Sequence, residues 1–162
     1  MIAPATPRSV ALTTHSAEET RELGGRLAGV ARPGDRLALV GPLGAGKTQF
    51  AKGFAAGLGV SEVVNSPSFT LMAEYAGRLP LFHLDLYRLA GAEEVLAGGL
   101  FDERQADGVT LIEWAERLDA AIDPERLVVR LEPLGGDQRR VTLEAASPRY
   151  AAYLEAAGAA RR

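Results

Sequence analysis

The stretch Leu37–Phe50, LALVGPLGAGKTQF, decides how the rest of the chain is read. Leu37 to Val40 are all apolar and run into a glycine-rich turn. That turn closes on Gly46-Lys47-Thr48 before helix-forming residues resume. A short apolar run bounded by turns predicts a strand covered on both faces. Past the turn, Phe50, Phe54 and Leu58 recur four apart, which predicts a helix with one apolar stripe, and Gly59 predicts its end.

Gly41-Pro42-Leu43-Gly44-Ala45-Gly46-Lys47-Thr48 matches G-x-x-x-x-G-K-[ST] in full, with the strand before it and the helix after it that give the motif its meaning. A phosphate needs several donors converging at short range, and side chains alone would crowd it. Glycines let backbone N–H groups turn inward, and a helix N-terminus adds the positive end of its dipole. Lys47 supplies a point charge for β- and γ-phosphates, and the Thr48 hydroxyl can complete a Mg²⁺ shell. Only two of the 18 basic residues are lysines, so a lysine inside this motif is not a product of composition. The turn predicts a nucleotide site.

The 162 residues suit one domain, read here as a single unit over 1–162, and a chain of this length buries enough surface to fold without staples. The absence of cysteine excludes disulfides and thiolate metal sites. A net charge of −3 argues against a broad nucleic-acid face driven by excess positive charge. No window resembles a signal peptide or a membrane span, so a cytoplasmic protein with no membrane contact is expected.

Outward from the turn, residues 1–9 are expected to be disordered. Ser16-Ala17-Glu18-Glu19 then predicts a capped helix carrying Leu23, Leu27 and Val30 on one face, closed by the turn Arg32-Pro33-Gly34-Asp35. The segment SPSFTLMAEYAGRLPLFHLDLYRL predicts two antiparallel strands joined at Ala76-Gly77-Arg78. GAEEVLAGGLFDE reads as a short helix, VTLIEW as another buried strand, and Ala115 to Ile122 as a helix. ERLVVRLEPLGGDQRRVTLEA predicts a hairpin around Gly135-Gly136-Asp137, and 147–162 a C-terminal helix with a Ser-Pro start. Helices and strands in this order predict an α/β fold: a three-layer P-loop NTPase-like domain with a mixed parallel and antiparallel sheet.

A phosphate turn needs a carboxylate on a neighbouring strand to hold Mg²⁺. Asp85 in LFHLDLYR and Glu113 in VTLIEW both end apolar runs, where a carboxylate is costly unless it meets a cation. The blander readings are that Asp85 pairs with Arg88 and that Glu113 pairs or caps at its strand end. Both acids around one Mg²⁺ is the functional reading. Trp114 is either a core anchor or a neighbour of the nucleotide, and His83 reads as a structural histidine rather than a ligand. No arginine presents itself as a finger, although Arg88 and Arg104 are available. The polar island Asn65 to Thr70 is either a turn opening a strand or a hydroxyl-bearing switch in which Ser66, Ser68 and Thr70 sense a γ-phosphate.

GPLGAGKT, SPSFTL, HLDLYRL and LIEW, in that order and spacing, together resemble the TsaE family, bacterial P-loop ATPases of tRNA threonylcarbamoyladenosine biosynthesis. The resemblance covers about residues 10–145. It implies ATP and Mg²⁺ as ligands, TsaB and TsaD type subunits as partners, and tRNA reached indirectly through their complex. It also implies weak ATP hydrolysis by the chain alone, stimulated by the partners, that sustains modification of adenosine 37 in tRNAs reading ANN codons. On the matching positions, Gly41, Gly44, Ala45, Gly46, Lys47, Thr48 and Gln49 are nucleotide contacts, with Ser66, Thr70 and Trp114 close by. Thr48, Asp85 and Glu113 take the metal side, and Lys47 and Asp85 the catalytic roles. Pro42 and Ser68 depart from the usual acidic residue and threonine without removing a phosphate donor.

Two other classes share the turn. A small-molecule kinase needs an acceptor pocket and an arginine-bearing lid, yet strands are predicted after residue 65 where a helical insert belongs. A GTPase needs Asn-Lys-x-Asp and a strand followed by Asp-x-x-Gly, and the chain has neither.

Overall fold

The computed structural model describes residues 8–64, 72–86, 103–114 and 125–159. Seven strands form one sheet: β1 (Arg8–Thr14), β2 (Arg36–Val40), β3 (Met72–Tyr75), β4 (Leu81–Asp85), β5 (Val109–Glu113), β6 (Leu127–Gly135) and β7 (Gln138–Ala145). Their order is β1-β7-β6-β2-β5-β4-β3. Three α-helices are described: α1 (Ala17–Ala28), α2 (Lys47–Gly57) and α3 (Ala151–Ala159).

The position of each strand explains its composition. β2 lies at the centre between β5 and β6, parallel to both, and Leu37 to Val40 are buried. A strand covered on both faces has no solvent side for polar residues, which is why LALV is unbroken. β6 and β7 pair antiparallel and alternate buried with partly exposed residues, as strands with one wet face do. The hairpin between them turns at Gly136-Asp137, with φ of 125° at Gly135 and 53° at Gly136. β3 and β4 form the antiparallel pair expected around Gly77, and Arg78 donates to the carbonyls of Ala28 and Ala31 at the end of α1.

All three described helices pack with the larger core, which includes Leu23, Leu27, Phe50, Phe54, Tyr153 and Leu154 along with Leu37, Leu39, Leu111 and Leu131 of the sheet. Ala38, Val40, Phe82, Leu84 and Ile112 form a second buried cluster. Strand alternation puts it on the opposite face. The helices read from GAEEVLAGGLFDE and from Ala115 to Ile122 lie outside the described residues, apart from a 3₁₀ turn at Glu103–Asp107.

Helices α1 and α2 approach until backbone touches backbone. A methyl group on Gly53 would sit 1.9 Å from the Arg21 carbonyl oxygen, and one on Gly24 would sit 2.4 Å from that of Phe50. The Ser16 hydroxyl accepts from Glu19 N–H at 3.1 Å, as the capping pattern predicts. The Glu19 carboxylate reaches back to the amide of His15 rather than to the cap itself.

One correction concerns the N-terminal side. Arg8 and Ser9, placed in a disordered stretch by the sequence reading, belong to β1, which pairs with β7 along its whole length. Strand β1 is an edge strand held by long-range pairing, and no local signal in RSVALTT distinguishes it from a loop. At the other end, Ser147 caps a 3₁₀ turn at Pro148–Tyr150 that leads into α3.

Candidate nucleotide site

Parallel strands β2, β5 and β4 end side by side, and open α/β sheets bind ligands beyond those carboxyl ends. The turn Gly41–Gly46 leaves β2 at that edge. Gly44 and Gly46 take φ of 80° and 101°, in the left-handed region that a side chain disfavours. Gly46 opens α2, and among the described residues no side chain caps it. The first-turn amides of a helix have no intrahelical acceptor, so this terminus aims donors and a positive dipole end into the turn.

The two acids arrive by register. Asp85 pairs with Glu113 across β4 and β5, and Glu113 pairs with Leu39 across β5 and β2, two residues before the turn begins. Adjacent strands lie about 4.8 Å apart, so the two carboxylates and the turn share one short edge. Ala17, Leu43, Gly44, Ala45, Gly46, Lys47, Thr48, Gln49, Asp85, Glu113, Trp114, Asp137 and Arg139 line a single cleft of ≈ 480 Å³. That volume falls within the range of small-ligand sites, about 300–1,000 Å³.

Lys47 is buried, and its ammonium donates to the carbonyl oxygens of Gly41 and, at 3.5 Å, Pro42. It also lies 3.4 Å from the centre of the Trp114 ring. Trp114 has φ of 58°, a left-handed conformation that is uncommon for a bulky residue and follows directly on Glu113. The ring therefore lines the cleft while also packing against the second core cluster.

Glu113 is 3 % exposed, and its Oε2 lies 2.5 Å from Nε2 of the fully buried His83. The blander expectation for Glu113, a pairing at the strand end, is thus met by a histidine two residues before Asp85. Ser66, Ser68, Thr70 and Arg88 lie outside the described residues. Arg104, on the 3₁₀ turn, forms an exposed pair with Glu74 at 2.9 Å and is not among the cleft-lining residues.

Sequence reasoning missed Arg139. From β7 its guanidinium donates to Ala45 O and Gly44 O, each at 3.0 Å, and to Gly136 O and Gln138 O, each at 2.8 Å. It ties the hairpin to the phosphate turn from the far side of β6. The turn and Arg139 are more than ninety residues apart, so no local pattern could mark it.

The donor set fits the expected ligands. Backbone amides and one ammonium suit phosphate oxygens, and a hydroxyl with two carboxylates is a hard-oxygen set of the kind Mg²⁺ takes. Fold and site together define a P-loop NTPase-like domain. The family model described as "Threonylcarbamoyl adenosine biosynthesis protein TsaE" matches residues 14–141. The chain is 44% identical to the tRNA threonylcarbamoyladenosine biosynthesis protein TsaE of Bacillus subtilis, over 88% of this chain and 89% of that one. It is 38% identical to the protein of the same description from Treponema pallidum, over 80% and 96% of the two chains. The crystal structure of Bacillus subtilis YdiB superposes with a TM-score of 0.76 at 37% identity, covering 98% of this chain and 99% of that one. The chain belongs to the TsaE family. Among the described residues, no helix is long and apolar enough to cross a membrane.

Proposed function

We propose that the chain is the ATP-binding and ATP-hydrolysing subunit of the system that makes threonylcarbamoyladenosine in tRNA, working in the cytoplasm as one domain with TsaB and TsaD type partners. The observation that carries this reading is the meeting of Lys47, Thr48, Asp85 and Glu113 on one cleft at the strand ends. Its support for the pathway is membership of the TsaE family.

In this reading the amides of Gly44 to Thr48 and the Lys47 ammonium hold the β- and γ-phosphates, with Gln49 following in the first turn of α2. Thr48, Asp85 and Glu113 hold Mg²⁺, which when bound neutralises charge on the phosphate oxygens. Asp85 orients the attacking water, and Ser66 and Thr70 report the γ-phosphate. Trp114 forms the wall on the Lys47 side.

Arg139 makes four bonds to backbone carbonyls, so it braces the turn rather than meeting charge that develops in the transition state. Hydrolysis by the chain alone is therefore slow, and partner contact supplies what is missing. Leu43, 81 % exposed at the cleft lip, suits such a contact. tRNA meets the chain only through the assembly. The test is steady-state ATP turnover of the chain alone and with TsaB and TsaD. A rate at least tenfold higher in the mixture is expected, and equal rates would overturn partner dependence. Calorimetry that detects no ATP binding at millimolar concentration would overturn the nucleotide site itself.

A further inference from the structure

We propose that His83 is the positioning residue for Glu113: its imidazole holds one carboxylate oxygen so that the other serves the cleft. The inference rests on the reading above, in which Glu113 faces Mg²⁺.

The strand LFHLD is apolar except for His83 and Asp85, which are two apart and so share a face. In the β4–β5 register His83 stands opposite Leu111, one step deeper than the Asp85–Glu113 pair. Its contact with Glu113 is therefore diagonal, running from the interior toward the strand ends. His83 is fully buried and Glu113 nearly so, and their atoms are 2.5 Å apart. Nε2 donates to Oε2. Nδ1 finds no hydrogen-bond partner among the described residues.

This arrangement has a consequence for the carboxylate. A glutamate at the end of a strand turns about three bonds, and an oxygen ligand that swings holds a small, geometrically demanding cation poorly. With Oε2 held at the deeper step, the other oxygen serves the cleft that Glu113 lines together with Thr48 and Asp85. Asp85 has a shorter side chain on the same face and also lines the cleft. A core histidine that only filled space would be served equally well by leucine at this otherwise apolar position. The hydrogen bond to Oε2 is what a leucine would lose.

The experiment compares the wild-type chain with His83→Leu, His83→Gln and Glu113→Gln. Affinity for ADP is measured by calorimetry in Mg²⁺ and in EDTA, and Mn²⁺ binding to the ADP complex by electron paramagnetic resonance. In His83→Leu the gain in ADP affinity on adding Mg²⁺ falls by about 10- to 100-fold, the usual cost of losing a group that orients a metal ligand. Its ADP affinity in EDTA stays at the wild-type value. His83→Gln, which keeps a donor, recovers most of the gain. If His83→Leu does not give the wild-type circular dichroism spectrum, His83→Met takes its place.

Retention of the full Mg²⁺ gain by His83→Leu, with Glu113→Gln losing it, overturns the proposal and leaves the metal assignment standing. Retention by Glu113→Gln as well overturns both. An equal loss of ADP affinity in EDTA, or loss of the gain in both His83 variants, reduces His83 to a core residue and overturns the positioning role.

Discussion

The Lys47 ammonium rests 3.4 Å from the centre of the Trp114 indole while donating to the Gly41 carbonyl. A buried ammonium needs partners, and this one finds a π-face and a backbone oxygen inside its own turn. A triphosphate offers charged oxygens instead, and charge-assisted bonds are about twice as strong as neutral ones. Nucleotide is therefore expected to draw the ammonium off the ring. Trp114 is the sole tryptophan, so its emission reports this directly. Saturable fluorescence change is expected on titration with ATP. Lys47→Ala should weaken ATP binding by about 100-fold or more, about 2.7 kcal/mol.

Asp85 and Glu113 are register partners, yet their surroundings differ, since Glu113 is buried against His83 and Asp85 is half-buried. Asp85→Ala is expected to lower ATP turnover in the presence of partners by at least about 100-fold, within the range for removing one positioned acid–base group. ATP affinity should change by less than tenfold. Rapid-quench turnover beside calorimetry checks the division. A loss of affinity as large as that of Lys47→Ala would contradict it.

Arg139 fixes the phosphate turn through the carbonyls of Gly44 and Ala45. Arg139→Ala is expected to reduce ATP affinity by about tenfold, since two bonds that pre-organise the turn are lost. Arg139→Lys should recover little, because an ammonium cannot span carbonyls on both the turn and the hairpin as a planar fork does. Nucleotide titrations of the two variants check this.

The far end of the sheet carries a separate buried centre. Asp35 is fully buried and accepts from Tyr153 OH at 2.6 Å and from Arg149 Nε at 3.0 Å. Burial pushes the Tyr153 phenol well above its ordinary range, and the bond to Asp35 adds to the shift. Burial also raises Tyr150, against the opposing hydrogen bond from the Arg36 amide. A phenol raised in the folded state contributes stability that is fully present below about pH 10, its unfolded value, and is lost as pH climbs further. Denaturant midpoints should accordingly be insensitive to these groups up to about pH 9 and fall above 10. Tyr153→Phe should cost about 1–3 kcal/mol at neutral pH and blunt the alkaline fall.

Gly53 marks the contact between α1 and the helix that carries the phosphate turn. Gly53→Ala would force a methyl group into the Arg21 carbonyl, so the helices must separate. A loss of about 1–3 kcal/mol is expected despite alanine's better helix propensity, read as a lower melting temperature. Gly158, where an added methyl group meets nothing within 4 Å, provides the control, and Gly158→Ala should not destabilise.

Much of this molecule is local and could be read from the chain in order. The run Leu37–Val40, the turn with its left-handed glycines, the Ser16 cap and the hairpin at Gly136-Asp137 all depend on backbone conformations that nearby residues impose. Apolar strands ending in Asp85 and Glu113 single the two acids out as candidates because a carboxylate next to such a run requires a reason to be there.

What the chain order could not fix was which distant parts would meet. Pairing of β1 with β7, the Arg139 brace on a turn ninety residues earlier, and the diagonal reach of His83 to Glu113 all follow from the order β1-β7-β6-β2-β5-β4-β3. Strand order is a choice among long-range pairings whose loop-closure costs are nearly alike, so it is settled by the whole core at once. The sequence determined that this protein would present a phosphate turn with acids at neighbouring strand ends. Only the packed sheet decided that a histidine one step deeper would hold one of those acids still.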